Sequence, residues 1–195
     1  MKTHSSLPRA AALTLALCAG LASASLVYAD TKPTPFTITS SDFRDGGKLG
    51  QKFAGNLKSN PNCDGQNISP ALAWSNAPAA TKSFVIFMVD PDGRNGLGVD
   101  HWVAYGIPAS KTSLKEGEAS AATPAIVGGT NTVGLNTYFG PCPPHNQRPH
   151  HYVINIVATD FDPGALRAGF THEEMVAGLA GHVLGSTSIV ATYAH

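Results

Sequence analysis

The sequence predicts a mainly β protein: a two-sheet β-sandwich carrying one or two peripheral helices, one of them near the C-terminus. Three observations predict it. Several apolar stretches have the length of one strand, are rich in β-branched and aromatic residues, and end in clusters of Gly, Pro, Asn and Asp. Only one segment, opening at Thr171, combines a helical period with a start signal. No internal repeat and no second boundary interrupts the chain, so the strands are expected to share one core in a single domain over residues 30–195.

The first 29 residues read as a cleaved signal peptide rather than as fold. Lys2 and Arg9 form a positive start, Ala10 to Leu26 is apolar or small, and Val27-Tyr28-Ala29 offers small residues for cleavage after Ala29. The alternative cut lies after Ala24. Gly20, Ser23 and Ser25 interrupt the apolar stretch, which is short for a bilayer span. Leu17 before Cys18 is not the small residue that lipid attachment needs. The mature chain is therefore expected to be periplasmic or secreted, with no transmembrane segment. It keeps 166 of 195 residues, enough for a full core.

Thirteen Lys and Arg balance thirteen Asp and Glu, and the leader removes two bases and no acids, leaving a formal charge of −2. That balance lacks the basic footprint of a nucleic-acid binder. Two cysteines, Cys63 and Cys142, remain after processing. In an oxidising compartment such a pair invites a disulfide; two buried free thiols are the alternative, because spacing alone does not bring sulfurs together.

In chain order, Pro33 and Pro35 give a loose start before Phe36-Thr37-Ile38, and Asp42 to Gly50 reads as turns. Asn60 to Pro70 crowds Asn, Asp, Gly and Pro into a long ordered loop, a candidate second wall of a site. Ala71 to Trp74 is a short strand. Ser83 to Val89 is continuously apolar and belongs at the centre of the core. It ends in the turn formers Asp90 to Gly98. Asp100 to Ile107 returns as a strand, with His101, Val103 and Tyr105 expected on one face and Trp102, Ala104 and Gly106 on the other. Pro108 to Asn131 reads as connecting loop with at most one short strand.

Gly140 to Tyr152 holds four prolines in thirteen residues, which excludes an interior helix or a central strand and leaves a stiff loop. It carries His145, His150 and His151 to the start of the strand Tyr152 to Ala158. Thr171-His172-Glu173-Glu174 is a capping box. Met175, Val176, Leu179, Ala180, Val183 and Leu184 then recur at helical spacing, which extends the predicted helix, His182 included, to Gly185. Ser186 to Tyr193 closes the chain as a strand.

Polar residues emerge at the ends of three strands: Asp90 and Asp92, then His101, then His150 and Tyr152. If those strands are neighbours, two carboxylates, two imidazoles and a phenol meet beside the proline wall. Imidazole and phenol can donate hydrogen bonds to an anion, a protonated imidazole adds charge, and an aspartate can hold the tautomer. A metal set of Asp90, His101, Cys142 and His150 can also be drawn, but no C-x-x-C or H-x-x-x-H spacing supports it, and no metal or cofactor is expected. A Ser-His-Asp hydrolase has weaker support still, because no G-x-S-x-G elbow is present. Acid/base catalysis by an Asp-His pair on a small substrate is the alternative to a pure binding role.

Cys63-Asp-Gly-Gln-Asn-Ile-Ser-Pro70 with Leu72 and Trp74, Asp90-Pro-Asp92, His101-Trp102, Gly140-Pro-Cys-Pro-Pro144, and His150 with Tyr152 stand in an order and spacing that closely resembles the phosphatidylethanolamine-binding protein family, in its bacterial Raf kinase inhibitor-like branch. The resemblance spans most of the chain after the leader. It implies an antiparallel two-sheet fold, a pocket for phosphate or phosphoethanolamine, and a binder or modulator of a partner protein rather than an enzyme. Carried over by position, the ligand-binding residues would be Asp90, Asp92, His101, Pro143, His150 and Tyr152, with Gly140, Pro141 and Cys142 as backbone wall. Gly93-Arg94-Asn95 stands where relatives commonly have Ala-Pro, which implies a more positive rim, and His151 stands where an arginine is common.

Overall fold

The computed structural model describes Met1 and residues 34–195; the predicted leader, apart from Met1, and residues 30–33 lie outside the described residues. Among the described residues, nine strands form two sheets. The small sheet has the order β1 (Thr37–Thr39), β3 (Leu72–Ser75), β6 (Ser113–Leu114). The large one runs β2 (Gly47–Lys48), β9 (Val183–Tyr193), β8 (His150–Thr159), β4 (Ser83–Asp90), β5 (Val99–Pro108), β7 (Val127–Gly128). All pairings are antiparallel except β2 with β9. A four-residue coiled segment, α1 (Gly93–Gly96), whose Arg94 and Asn95 take left-handed backbone, follows β4, and the helix α2 (His172–Gly178) precedes β9.

The continuous apolar sequence of β4 reflects burial on both faces. Phe84, Ile86 and Met88 point between the sheets, where Ile154 and Ile156 of β8 and Leu72 and Trp74 of β3 complete the main core. Trp74 meets the Phe84 ring edge-on at 5.3 Å. Val85 and Phe87 point the other way into a second core with Val103, Tyr105, Val157, Met175 and Leu179. A central strand covered on both sides has no polar face to alternate with.

Thr171 caps α2 as a box: its Oγ1 accepts from the Glu174 amide at 3.2 Å, and its own amide donates to Glu174 Oε2 at 2.8 Å. Such a cap contributes about 1 kcal/mol. The helix, however, ends at Gly178 rather than reaching Gly185. Gly178 weakens propagation, and Gly181 at φ 82° turns the chain out of the helix, so Val183 and Leu184 open strand β9. His182 accordingly sits in the turn, 2.7 Å from Asp160 Oδ1. The Pro108–Asn131 connection carries two short strands, β6 and β7, rather than one.

Strand β5 departs from simple alternation at two bulges. Phe84 faces Ile107 while Ile86 faces Ala104, so an extra residue near Gly106, at φ 64°, returns Ile107 to the main core. Met88 faces Trp102 while Val89 faces Asp100, so His101 has no opposite number on β4. A bulge bends its strand and re-aims a side chain. His101 therefore leaves the face of Val103 and Tyr105, to which alternation assigns it, and packs edge-on against Tyr152 of β8 at 5.1 Å.

Candidate functional site

Three adjacent strands of the large sheet, β5, β4 and β8, deliver His101, Asp90 and His150 to one end of the sandwich. Asp90 is the hub. Its Oδ1 accepts the amides of Asp92 at 2.9 Å and Gly93 at 3.0 Å, the bonds of a turn-forming aspartate. Its Oδ2 accepts from His150 Nδ1 at 2.8 Å and stands 4.0 Å from His101 Nε2. Asp90, His101 and His150 are all buried, at 3%, 2% and 5% exposure, so these contacts are made out of bulk water.

His101 Nδ1 lies 2.9 Å from the carbonyl of Phe139, and its ring stacks on the Phe139 ring with an 8° tilt. A carbonyl only accepts, so Nδ1 carries the proton. Burial pushes the imidazole below its ordinary value of 6.5, against the pull of that carbonyl and of Asp90. The neutral ring then presents the lone pair of Nε2 to Asp90 Oδ2, and two acceptors face each other across 4.0 Å. A donor hydrogen set between them can satisfy either one. His150 Nε2 faces Gln147 Oε1 at 3.1 Å, a contact made when the imidazole carries both protons or the amide presents its NH2 group.

The low value of His101 has a consequence for stability. The unfolded chain binds a proton at this position more tightly than the folded one, so the stability this histidine allows is full above about pH 6.5 and is lost as pH falls through the folded-state value. Urea unfolding should show a smaller loss between about pH 7.5 and about pH 5.5 in His101→Gln than in the unaltered protein. Equal losses in the two proteins would show that His101 carries no such penalty.

Beside this triad lies a cavity of about 320 Å³, lined by Asp90, His101, Cys142, Pro143 and His150 of the residues anticipated from sequence. Asn60 and Asn62, from the predicted second wall, line it as well, with Phe139 and Thr132. Cys63 and Cys142 are joined by a disulfide with Cα atoms 4.7 Å apart, which ties that second wall to the proline wall. The bond also removes Cys142 as a thiolate, and among the described residues no group of three His, Cys, Asp or Glu side chains is placed to hold a metal ion.

The remaining anticipated residues stand elsewhere. Asp92 lines a neighbouring cavity; its Oδ2 accepts from the amide and Nδ1 of His151, both at 2.9 Å, and these bonds hold its carboxyl below the usual range. Tyr152 is wholly buried behind His101, its hydroxyl pushed upward by burial and without a hydrogen-bond partner among the described residues. Gly140 and Pro141 are buried behind the lining. The Gly140 amide donates to Asn67 Oδ1 at 2.8 Å, and the Pro141 carbonyl accepts from Gly55 at 2.9 Å. A side chain at Gly140 would collide with the Phe53 carbonyl, so this close approach requires glycine.

Sequence reasoning singled out no role for Asn67, Phe139 or Gln147. Asn67, at φ 59°, also donates from Nδ2 to the Tyr138 carbonyl at 3.0 Å, so one side chain fixes both sides of the loop entry. Its place within the run Asp64-Gly-Gln-Asn-Ile-Ser-Pro70 was the available signal.

With this geometry in hand, the comparisons with known proteins are specific. The family model for phosphatidylethanolamine-binding protein matches residues 39–194. The UPF0098 protein YbhB of Escherichia coli is 36% identical over 159 residues, covering 80% of this chain and 98% of its own. A UPF0098 protein of Methanothermobacter thermautotrophicus is 34% identical over 157 residues, 77% of this chain and 93% of its own. Among solved structures, E. coli YbcL, described as a member of the mammalian PEBP family, superposes with a TM-score of 0.72 at 29% identity, covering 82% of this chain and 98% of its own. The chain belongs to the phosphatidylethanolamine-binding protein family.

Proposed function

We propose that this chain is an exported binding protein whose cavity takes a small anionic group: phosphate, phosphoethanolamine or another phosphate monoester. The observation that carries the reading is the acceptor pair at the cavity edge, Asp90 Oδ2 and His101 Nε2 at 4.0 Å, with His150 Nδ1 bound to the same carboxylate oxygen at 2.8 Å. A carboxylate beside an anion site repels a dianion. A phosphate monoester that keeps one P–OH instead donates that hydrogen to the acceptor pair, while its charged oxygens face the rest of the cavity.

The sign of the pH dependence follows. The second ionisation of a phosphate monoester lies at about pH 6, so raising pH through about 6 to 7 removes the donor and weakens binding. Titration calorimetry of phosphoethanolamine at about pH 5.5 and about pH 7.5 should show tighter binding at the lower value, with roughly tenfold loss in His150→Ala. Affinity untouched by His150→Ala would remove the cavity as the binding site. Export rests on the leader read from sequence; N-terminal sequencing of the native protein should begin at Asp30 or Ser25.

The Asp90–His150 hydrogen bond at 2.8 Å also supports a second reading, proton transfer to a bound small substrate. Turnover of a screened substrate set that vanishes in Asp90→Asn would favour it, whereas binding without turnover favours the first.

A further inference from the structure

The cavity next to Asp90 does not stand alone. A second, of about 380 Å³, opens beside it and is lined by Asp92, Arg94, Gln147 and Arg148. Arg94, Pro144 and His150 line both, so the two spaces share a wall. Their electrostatics differ. The inner space holds the Asp90 carboxylate hydrogen-bonded to His150, its His101 is held neutral by burial, and Arg94 reaches it only at the shared wall. In the outer one, Asp92 is already committed to His151 at 2.9 Å and to Arg148 at 3.6 Å. Arg94 is exposed and, among the described residues, has no carboxylate within ion-pairing distance. It rises from the β4–β5 connection, where Arg94 and Asn95 both take left-handed backbone, at φ 51° and 58°.

Resting on the reading of the inner cavity as a phosphate pocket, we propose that Arg94 forms a second anion subsite, so that the preferred ligand carries two phosphate groups, one in each space. A guanidinium offers two parallel N–H donors to a phosphate, and among the described residues this one has no carboxylate to displace. A ligand with a single phosphate fills the inner cavity and meets Arg94 only at the shared wall. A ligand with two spans the shared wall past Pro144. Such a pair of phosphates can belong to a free bisphosphate or to a lipid head group.

Titration calorimetry with propyl phosphate and propanediol bisphosphate separates the two subsites. The unaltered protein should prefer the bisphosphate by about tenfold, the size of one charge-assisted pair. Arg94→Ala should lower the affinity for the bisphosphate more than that for propyl phosphate, bringing the ratio to about one, and Arg94→Lys should restore part of it. His150→Ala should weaken both ligands together. Retention on phosphatidylcholine vesicles doped with cardiolipin, lost in Arg94→Ala, would assign the paired phosphates to a lipid; Arg94-dependent binding of the soluble bisphosphate alone would assign them to a free compound. Failure of propyl phosphate to bind the unaltered protein overturns the inner pocket, and the second subsite with it. Propyl phosphate bound with no preference for the bisphosphate, or a preference that survives Arg94→Ala, overturns the second subsite alone.

Discussion

Removing the disulfide with Cys63→Ala and Cys142→Ala is expected to lower the unfolding free energy by about 4 kcal/mol. The bond spans 79 residues of sequence, and closing a loop of that length restricts the unfolded chain by an amount between the roughly 3 kcal/mol of a 15-residue loop and the roughly 4.7 of a 100-residue one. The native side adds packing. A side chain at Gly55 would meet the Cys142 sulfur, the Phe139 ring and the Gly140 carbonyl, so backbone and disulfide are in close contact beneath the proline wall. The urea midpoint should fall in the double variant, and reducing agent should have the same effect on the unaltered protein while leaving the variant unchanged. A midpoint shifted by neither treatment would show that the cross-link does not constrain the chain. Because Asn60, Asn62 and Cys142 all line the inner cavity, phosphoethanolamine affinity should fall along with stability.

Asp90→Asn is expected to weaken phosphoethanolamine binding by about ten- to a hundredfold, the worth of one hydrogen bond to a charged group. The asparagine oxygen can still accept the amides of Asp92 and Gly93, which fix the turn. Its NH2 then takes the place of Oδ2 and faces the Nδ1 proton of His150, so the imidazole must change tautomer or lose its partner. Binding falls while the turn persists. Asp90→Ala removes both functions and strands the two amides and the imidazole N–H, so it should also destabilise the fold by roughly 2–4 kcal/mol. Asp90→Asn that binds normally, or Asp90→Ala that unfolds like the unaltered protein, would contradict the role of this carboxylate as hub.

The contrast between these variants also shows what a sequence makes visible. Strands β4, β5 and β8 were legible because burial on both faces of a central sheet leaves unbroken β-branched and aromatic runs, and the capping box of α2 states its start in four residues. The end of α2 was not legible. Val183 and Leu184 continue the helical period by coincidence, and Gly178 together with the left-handed turn at Gly181 separates helix from strand. The site was legible as a set of strand-end residues, less so as geometry. Alternation along β5 puts His101 on the wrong face, and a bulge that depends on pairing with β4 reverses it. Asp92 shares a motif with Asp90 yet turns to His151, because its partner comes from β8, about 60 positions along the chain. Arg94 stood out as a departure from the family pattern, but that no carboxylate among the described residues pairs with it is a property of the folded rim.

A crystal structure of residues 30–195 grown with phosphoethanolamine at about pH 6 tests the central claim most directly. The account predicts phosphorus in the cavity beside Asp90, with one phosphate oxygen within hydrogen-bond reach of both Asp90 Oδ2 and His101 Nε2 and with His150 still bound to the carboxylate. Phosphoethanolamine bound away from these three side chains, or a cavity that stays free of it at saturating concentration, would contradict it.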